Sequence, residues 1–223
     1  MTNIYIVRHG QDQDNTNGIL NGHRDTPLTE IGISQAEQLA KKIKKSGIVF
    51  DKIYSSPLQR AYQTAEIVAT YIHMKKPEIV DILIERDFGM MSGKNIKDIE
   101  KLCSPDIIKT DTIMYFLSPE GAETFPQLIK RANQALEYIQ KQRIKGNILL
   151  VTHGDFGKML YTAYYNLDWK LIQKSPHGLF FEIIYISNFY FLTLFFFLSE
   201  SVRKTFLNLM FLGVISTYSS VLI

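Results

Sequence analysis

Residues 4–10 read Ile-Tyr-Ile-Val-Arg-His-Gly, in which four apolar residues run directly into a charged pair and a glycine. The apolar run predicts a short buried β-strand, and the residues after it predict that the strand ends abruptly in a loop. The same pattern returns at residues 148–154, which read Ile-Leu-Leu-Val-Thr-His-Gly. If the two strands are parallel neighbours in one sheet, His9 and His153 lie at its carboxyl edge, where open α/β sheets bind ligands.

Apolar strand patterns alternate with helical patterns along the rest of the chain. Further strands are predicted over residues 48–54 and 79–84, with one more over 178–185, whereas residues 104–121 are predicted to be irregular. Helices are predicted between a Thr29 cap and a Gly47 stop, over 58–72, 95–102 and 156–166, and from a capping box at Thr124 and Gln127 to about Gln142. This alternation predicts an α/β fold of three layers, α/β/α, with a mostly parallel central sheet covered on both faces.

The composition is that of a globular protein. Of the 223 residues, 46% are hydrophobic and 21% are charged, and the formal net charge of +3 is too small to indicate nucleic acid binding. The single cysteine, Cys103, cannot form an intrachain disulfide and suits a reducing compartment. The first residues lack the basic region and the long apolar run of a signal peptide, so a cytoplasmic location is expected.

The C-terminal part of the chain has a different composition. After about Gly178 it is strongly apolar, and residues 183–198 and 205–223 carry no charge. We therefore divide the chain into an α/β domain over residues 1–178 and an apolar segment over 179–223, which is predicted to supply a last strand and then an atypical tail. The tail is interpreted as packing over the domain or a partner, or as a divergent ending. Membrane contact is the less favoured alternative, because Asn188 and scattered serines weaken both apolar runs as membrane spans.

Charged residues follow each predicted strand and suit a phosphate dianion. They are Arg8 and His9 after the first strand, Arg60 one helical turn beyond the second, Glu85 after the third and His153 after the fourth. An arginine presents a planar fork of donors that matches phosphate oxygens, and a neutral imidazole is a competent nucleophile for phosphorus. Glu85 is the carboxylate placed to protonate a leaving oxygen, provided that its pKa is raised.

Other chemistries fit these residues less well. His9, His153 and Glu85 have the composition of a two-histidine, one-carboxylate metal site, but two nearby arginines would repel a divalent cation. No glycine-rich loop ending in Gly-Lys-Ser/Thr follows a predicted strand, which excludes a P-loop. Ser55 and Ser56 have no activating base in the local sequence and are interpreted as a helix start rather than as nucleophiles.

Over residues 3–166, motifs in the family's order resemble the histidine phosphatase superfamily, the phosphoglycerate mutase-like group of two-histidine phosphatases. They are Arg8-His9-Gly10-Gln11, Asn15, Gly22, Asp25-Thr26-Pro27-Leu28-Thr29, Gly32, Gln35-Ala36, Ser55-Ser56-Pro57-Leu58-Gln59-Arg60-Ala61, Gln63-Thr64-Ala65, Glu85 to Gly89, Gly121-Ala122-Glu123-Thr124 and Thr152-His153-Gly154. The combination is highly specific, although Arg-His-Gly alone is not.

The resemblance implies a role for each matching residue. His9 becomes phosphohistidine, with Arg8, Arg60 and His153 forming the rest of the phosphate pocket, and Glu85 donates the proton and later activates water. Asn15 adds a donor to the phosphate pocket, while Gln11, Gly22 and Glu123 line the substrate side. Metal and other cofactors are not expected, and the partner is a small phosphorylated substrate; a homodimer is left open.

Hydrolysis is favoured over mutase chemistry. The similar cofactor-dependent mutases carry a longer insertion with extra basic residues before the helix at Thr124, whereas residues 94–119 contain only Lys94, Lys97, Lys101 and Lys109 as cations. The expected activity is therefore metal-independent hydrolysis of a phosphomonoester through a phosphohistidine. A 2,3-bisphosphoglycerate-dependent phosphoglycerate mutase and a non-catalytic phospholigand-binding protein stay open as alternatives.

Overall fold

A computed structural model of the chain describes residues 2–110, 113–170 and 184–187. Strands and helices alternate through most of these residues, as the sequence pattern predicts. The strands are β1 (Thr2–Arg8), β2 (Lys52–Ser55), β3 (Glu78–Ile79), β4 (Ile107–Lys109), β5 (Met114–Phe116), β6 (Gly146–Thr152) and β7 (Ile184–Ser187). The helices are α1 (Gln13–Thr16), α2 (Glu30–Ser46), α3 (Gln59–Tyr71), α4 (Ile99–Cys103), α5 (Phe125–Lys141) and α6 (Gly154–Tyr165).

The central sheet has the strand order β3-β2-β6-β1-β7. The first four strands in this order are parallel, and β7 pairs antiparallel with β1. Arg8 lies opposite Thr152, and Ser55 lies opposite Val151. The strands that carry the two His-Gly sequences are therefore direct neighbours, with matched carboxyl ends.

Side chains alternate between the two faces of the sheet and create two cores. On one face, Ile148 and Leu150 pack with α5 and α6; on the other, Leu149 and Val151 pack with α2 and α3. All four side chains are completely buried, which explains why β6 is apolar throughout rather than alternating. The predicted three-layer α/β/α fold with a mostly parallel sheet is confirmed.

Three local predictions are wrong in part. The strand predicted over 48–54 begins only at Lys52, because the Asp51 carboxylate accepts the Asn147 N–H (2.8 Å) in a turn before it. The strand predicted over 79–84 is reduced to an exposed edge pair, followed by a 3₁₀ turn at Asp81–Leu83 that buries Leu83. The segment predicted to be irregular contains the antiparallel β4–β5 hairpin, which is too short to give a clear periodicity.

Most of the predicted C-terminal segment lies outside the described residues. The strand predicted over 178–185 overlaps the observed edge strand β7 (Ile184–Ser187) at residues 184–185. Residues 179–183 and 188–223 are outside the described ranges, as is the tail interpreted as a packing element, a divergent ending or a membrane contact. None of the helices in the described ranges combines the length and apolar character that a bilayer crossing requires.

The loop after β1 is held against the first turn of α2. Thr29 caps this helix by accepting the Gly32 N–H (3.1 Å), and its hydroxyl donates to Gln11 Oε1 (2.9 Å). A Cβ atom on Gly32 would lie 2.0 Å from the Gln11 carbonyl oxygen, and one on Gly10 would lie 2.4 Å from the Gly32 carbonyl oxygen. Backbone therefore packs on backbone directly behind His9.

Replacing Gly32 with alanine is expected to lower the free energy of unfolding by about 1–3 kcal/mol, because the new methyl group meets rigid backbone and forces the two segments apart. The same displacement moves the loop that carries His9. Urea denaturation checks the stability, and Ser34→Ala, at an exposed position in the same helix, is the control that should change it by less than about 0.5 kcal/mol. Equal stability of the two variants would show that this contact is softer than its geometry indicates.

Candidate active site

Three polar residues leave adjacent strands at the same edge of the sheet. The His9 N–H donates to the Thr152 carbonyl (3.0 Å), and the Ser56 N–H donates to the Val151 carbonyl (3.0 Å). These bonds extend the strand register by one residue and place His9, Ser56 and His153 side by side. The rings of the two histidines lie 5.0 Å apart at an angle of 61°.

The hydrogen bonds of His9 define its tautomer. Its Nδ1 lies 2.7 Å from the Gly10 carbonyl oxygen, which can only accept a hydrogen bond, so Nδ1 carries the proton. Its Nε2 lies 3.2 Å from Arg60 Nε, which can only donate, so Nε2 holds a lone pair. Both contacts specify the same tautomer, in which Nδ1 carries the proton and Nε2 carries the lone pair.

Arg60 is completely buried and anchored at three points besides His9. Its Nη1 donates to the Arg24 carbonyl (2.6 Å) and its Nη2 to the Gly22 carbonyl (2.8 Å), while its Nε lies 3.5 Å from Asp12 Oδ2. These contacts restrict the guanidinium to one orientation. The cation is therefore already placed at His9 before any ligand arrives.

Glu85 lies at the N-terminus of α6. Its Oε1 accepts the N–H groups of Arg86 (2.9 Å) and Phe156 (3.0 Å). The side chain of Arg8 is close by, because a Cβ atom on Gly154 would lie 3.8 Å from Arg8 Nε and 3.9 Å from Glu85 Oε2. The arginine and the carboxylate therefore lie on the same side of the site, next to Gly154.

Burial and neighbouring charges move the pKa values of the ionisable groups in opposite directions. Burial, followed by the positive charges of Arg60 and Arg8, lowers the pKa of His9 well below its usual value. Burial and the charge of Arg60 lower the pKa of His153 in the same way, so both imidazoles are neutral at pH 7. Burial, followed by the negative charge of Asp155, raises the pKa of Glu85. The site therefore contains two neutral imidazoles and a carboxyl group whose pKa is raised.

The structure brings Arg8, His9, Arg60, Glu85 and His153 to one edge of the sheet, as the sequence predicts. Asn15 lies in α1, where its backbone N–H donates to Asp12 Oδ1 (2.8 Å). Of the residues predicted to line the substrate side, Gly22 contributes the carbonyl that holds Arg60.

Gln11 and Glu123, which are also predicted to line the substrate side, both make contacts within the chain. The Gln11 side chain accepts a hydrogen bond from the Thr29 hydroxyl at the start of α2 (2.9 Å). The Glu123 carboxylate forms a two-point ion pair with Arg131, at 2.9 and 2.7 Å. Arg131 in turn donates to the carbonyls of Ile84 (2.7 Å) and Glu85 (3.0 Å). Glu123 therefore supports the loop that carries Glu85.

Sequence reasoning missed two buried residues that shape the site. Asp12 is completely buried and accepts the Asn21 side-chain amide (2.8 Å), and its Oδ2 lies 3.8 Å from His9 Nδ1. Ser56 is also completely buried, with its Oγ 2.6 Å from His153 Nε2. Asp12 follows His9 so closely in the sequence that proximity could have singled it out, whereas the contact of Ser56 spans 97 residues.

The metal alternative finds no geometric support. Within residues 2–110, 113–170 and 184–187, no three His, Cys, Asp or Glu side chains converge as ligands of one ion. Glu85 uses its oxygens on backbone N–H groups, and His9 Nε2 faces Arg60. The donor set is arranged for an anion rather than for a cation.

Comparisons with known proteins agree with this geometry. The family model for the histidine phosphatase superfamily (branch 1) matches residues 4–180. A 2,3-bisphosphoglycerate-dependent phosphoglycerate mutase of Parvibaculum lavamentivorans is 33% identical over 159 residues, which cover 68% of this chain and 74% of the relative. The same enzyme of Bartonella tribocorum is 28% identical over 189 residues, covering 83% and 92%.

Two solved structures share the fold. Bacillus stearothermophilus YhfR superposes with a TM-score of 0.71 at 25% identity, covering 84% of this chain and 91% of that one. Phosphoserine phosphatase from Entamoeba histolytica superposes with a TM-score of 0.66 at 28% identity, covering 83% and 90%. The family match, which spans most of the chain, and the shared architecture lead to one conclusion: the chain belongs to branch 1 of the histidine phosphatase superfamily and is an enzyme of that phosphatase type.

Proposed function

We propose that the enzyme hydrolyses a small phosphomonoester through a phosphohistidine on His9, without a metal ion. The observation that carries this proposal is the lone pair on His9 Nε2, which is presented beside the guanidinium of Arg60 by two hydrogen bonds that specify the same tautomer. A neutral nucleophile next to fixed cations is the arrangement that phosphoryl transfer from a dianion requires.

In the first step, Arg60 Nε–H exchanges its hydrogen bond to His9 Nε2 for one to a phosphoryl oxygen. The freed lone pair on Nε2 attacks phosphorus, and the bond from phosphorus to the leaving oxygen breaks. Arg8 and Arg60 offset the charge that spreads over the phosphoryl oxygens in the transition state. The protonated Glu85 gives its proton to the leaving oxygen, so that an alcohol departs rather than an alkoxide. Burial raises the pKa of this carboxyl group, which favours the protonated form that the step needs.

In the second step, the Glu85 carboxylate takes a proton from water as the water oxygen attacks phosphorus. The bond from phosphorus to Nε2 breaks, inorganic phosphate leaves, and both His9 and Glu85 return to their starting states. His9 gains and then loses the phosphoryl group, and Glu85 gives up and then regains its proton. The proposed cycle is therefore complete without a cofactor.

Hydrolysis is favoured over mutase chemistry because cations near the site are already paired within the chain. Arg24 binds Asp14 (2.8 Å), and Arg131 binds Glu123 (2.7 Å). Arg86 is buried, and it donates to the Phe116 carbonyl (2.7 Å) and lies 3.4 Å from Asp155 Oδ2. A second phosphate on the substrate would have to displace a carboxylate from one of these pairs.

Phosphoglycerate mutase is the second candidate, because both relatives quoted above have that name and this chain matches most of their length. One ³¹P NMR experiment separates the two activities. Purified enzyme with a chelator is given 3-phosphoglycerate, with and without 2,3-bisphosphoglycerate, and then phosphoserine, sugar phosphates and p-nitrophenyl phosphate. We expect release of inorganic phosphate from at least one monoester in the presence of the chelator. Formation of 2-phosphoglycerate faster than inorganic phosphate would establish the mutase instead, and no turnover of any compound would overturn both.

A further inference from the structure

Ser56 makes a short, completely buried contact with the second histidine of the site. Its Oγ lies 2.6 Å from His153 Nε2, and it also accepts the Leu58 N–H (3.3 Å). The other ring nitrogen, His153 Nδ1, is buried and has no hydrogen-bond partner among the residues that the structure describes. One nitrogen of His153 is thus held by the protein and the other is left for a ligand.

The direction of the hydrogen bond follows from the partners of Ser56. A serine hydroxyl has one hydrogen to donate and can accept two hydrogen bonds. Within the described part of the chain, Leu58 N–H can only donate to Oγ, which leaves His153 Nε2 as the acceptor that this hydroxyl contacts. When the hydroxyl donates to Nε2, the proton of the neutral imidazole must lie on Nδ1.

We propose that Ser56 is a positioning residue that holds His153 as the Nδ1–H tautomer, so that this N–H donates to a phosphoryl oxygen of the substrate. The inference rests on the proposed function, because it concerns the same site. Phosphoryl oxygens only accept hydrogen bonds, so a lone pair on Nδ1 would repel the substrate, whereas an N–H attracts it. The two histidines are then both protonated on Nδ1 but play opposite parts: His9 offers a lone pair from Nε2, and His153 offers a proton from Nδ1.

Burial explains why a hydroxyl is needed for this task. Free imidazole interconverts between tautomers, and His153 stays neutral because burial and the charge of Arg60 lower its pKa. Without a hydrogen-bond partner on Nε2, the proton of the neutral ring would lie on whichever nitrogen gives its N–H the better hydrogen bond. Ser56 removes that freedom. In the alternative tautomer, Nε2–H would donate to Ser56 Oγ, and the hydrogen of this completely buried hydroxyl would have no acceptor among the contacts that the structure describes.

Long-range ¹H–¹⁵N spectra of the ligand-free protein test the tautomer without any measurement of activity. We expect a protonated Nδ1 and an unprotonated Nε2 for His153, assigned by the signals lost in His153→Gln. A protonated Nε2 in the wild-type protein would overturn the proposal even if the enzyme is an active phosphatase. Conversely, the expected spectrum from a protein without phosphatase activity would sink the proposed function and leave the tautomer assignment intact.

Three variants test the consequence for turnover. Ser56→Ala should shift His153 towards the Nε2–H tautomer and lower kcat by about 10- to 100-fold, while Ser56→Thr, which keeps the hydroxyl, should restore most of it. Ser55→Ala is the matched control, because this neighbouring buried hydroxyl donates to the Ser56 carbonyl (2.9 Å) and not to an imidazole. Equal kcat losses in the alanine variants of Ser55 and Ser56, with unchanged tautomers, would reduce Ser56 to a structural residue. If Ser56→Ala does not fold, the wild-type spectrum still decides.

Discussion

Replacing His9 with alanine is expected to lower phosphatase activity by about four orders of magnitude or more, because the variant has no atom that can form the bond to phosphorus. The acid-labile phosphoenzyme, trapped by rapid quenching with radiolabelled substrate, should disappear with it. Steady-state assays at saturating substrate and the quench experiment together measure the loss. The cations and Glu85 stay in place, so binding of inorganic phosphate should weaken far less than turnover.

The control for this variant is a histidine that lies outside the site. His73 is exposed beyond the end of α3, with a φ of 60°, and asparagine tolerates that backbone conformation. His73→Asn should therefore keep wild-type turnover and wild-type phosphoenzyme levels. Phosphatase activity in His9→Ala within tenfold of this control would exclude His9 as the nucleophile.

The position of the site could be predicted from the sequence because it depends on strand ends. Each of the two His-Gly sequences follows an apolar run, and parallel neighbours bring such ends together at one edge. Arg60 and Glu85 follow the same rule, although the strand expected before Glu85 is mostly a 3₁₀ turn. Glu85 still lies at the predicted sheet edge, because the nearby Leu83 is buried and its carbonyl accepts the hydroxyl of Thr152 (2.7 Å) at the end of β6.

The supporting contacts could not be predicted because they join segments that are far apart in the sequence. The link between Ser56 and His153 depends on β2 and β6 being neighbours in register, which local periodicity does not report. Glu123 is predicted to line the substrate side, and in the folded chain its carboxylate forms an ion pair with Arg131. A charged residue in a loop gives the same sequence signal whether it faces a ligand or another charge, so only the folded arrangement distinguishes the two.

Replacing Glu85 with glutamine is expected to lower kcat for alkyl phosphates by about 10²- to 10⁴-fold, because the leaving oxygen loses its proton donor. In the wild-type enzyme, kcat should fall as the pH rises through the raised pKa of Glu85, since only the protonated carboxyl can donate. This descending limb of the pH profile should be absent from the variant. Glu137→Gln, at an exposed position on α5, is the control that should keep both the rate and the profile.

A substrate with a good leaving group separates the two tasks of Glu85. The p-nitrophenolate group departs without a proton, so Glu85→Gln should still phosphorylate His9 from p-nitrophenyl phosphate. Dephosphorylation then lacks the base that activates water, and stopped-flow absorbance should show a burst of one equivalent of p-nitrophenol followed by slow turnover. Equal losses on both kinds of substrate, with no burst, would mean that Glu85 is not the group that exchanges the proton.

The same raised pKa has a consequence for stability, which changes with pH in the same direction as kcat. Burial favours the protonated carboxyl of Glu85 in the folded chain, so the native state binds more protons than the unfolded chain between the two pKa values. The stabilisation is fully present below the unfolded pKa and is lost as the pH rises through the folded one. Urea denaturation should therefore show wild-type stability falling relative to Glu85→Gln over that window, with the variant at least as stable above it. If Glu85→Gln were less stable than the wild type at every pH, the contacts of the carboxyl group would matter more for stability than its protonation.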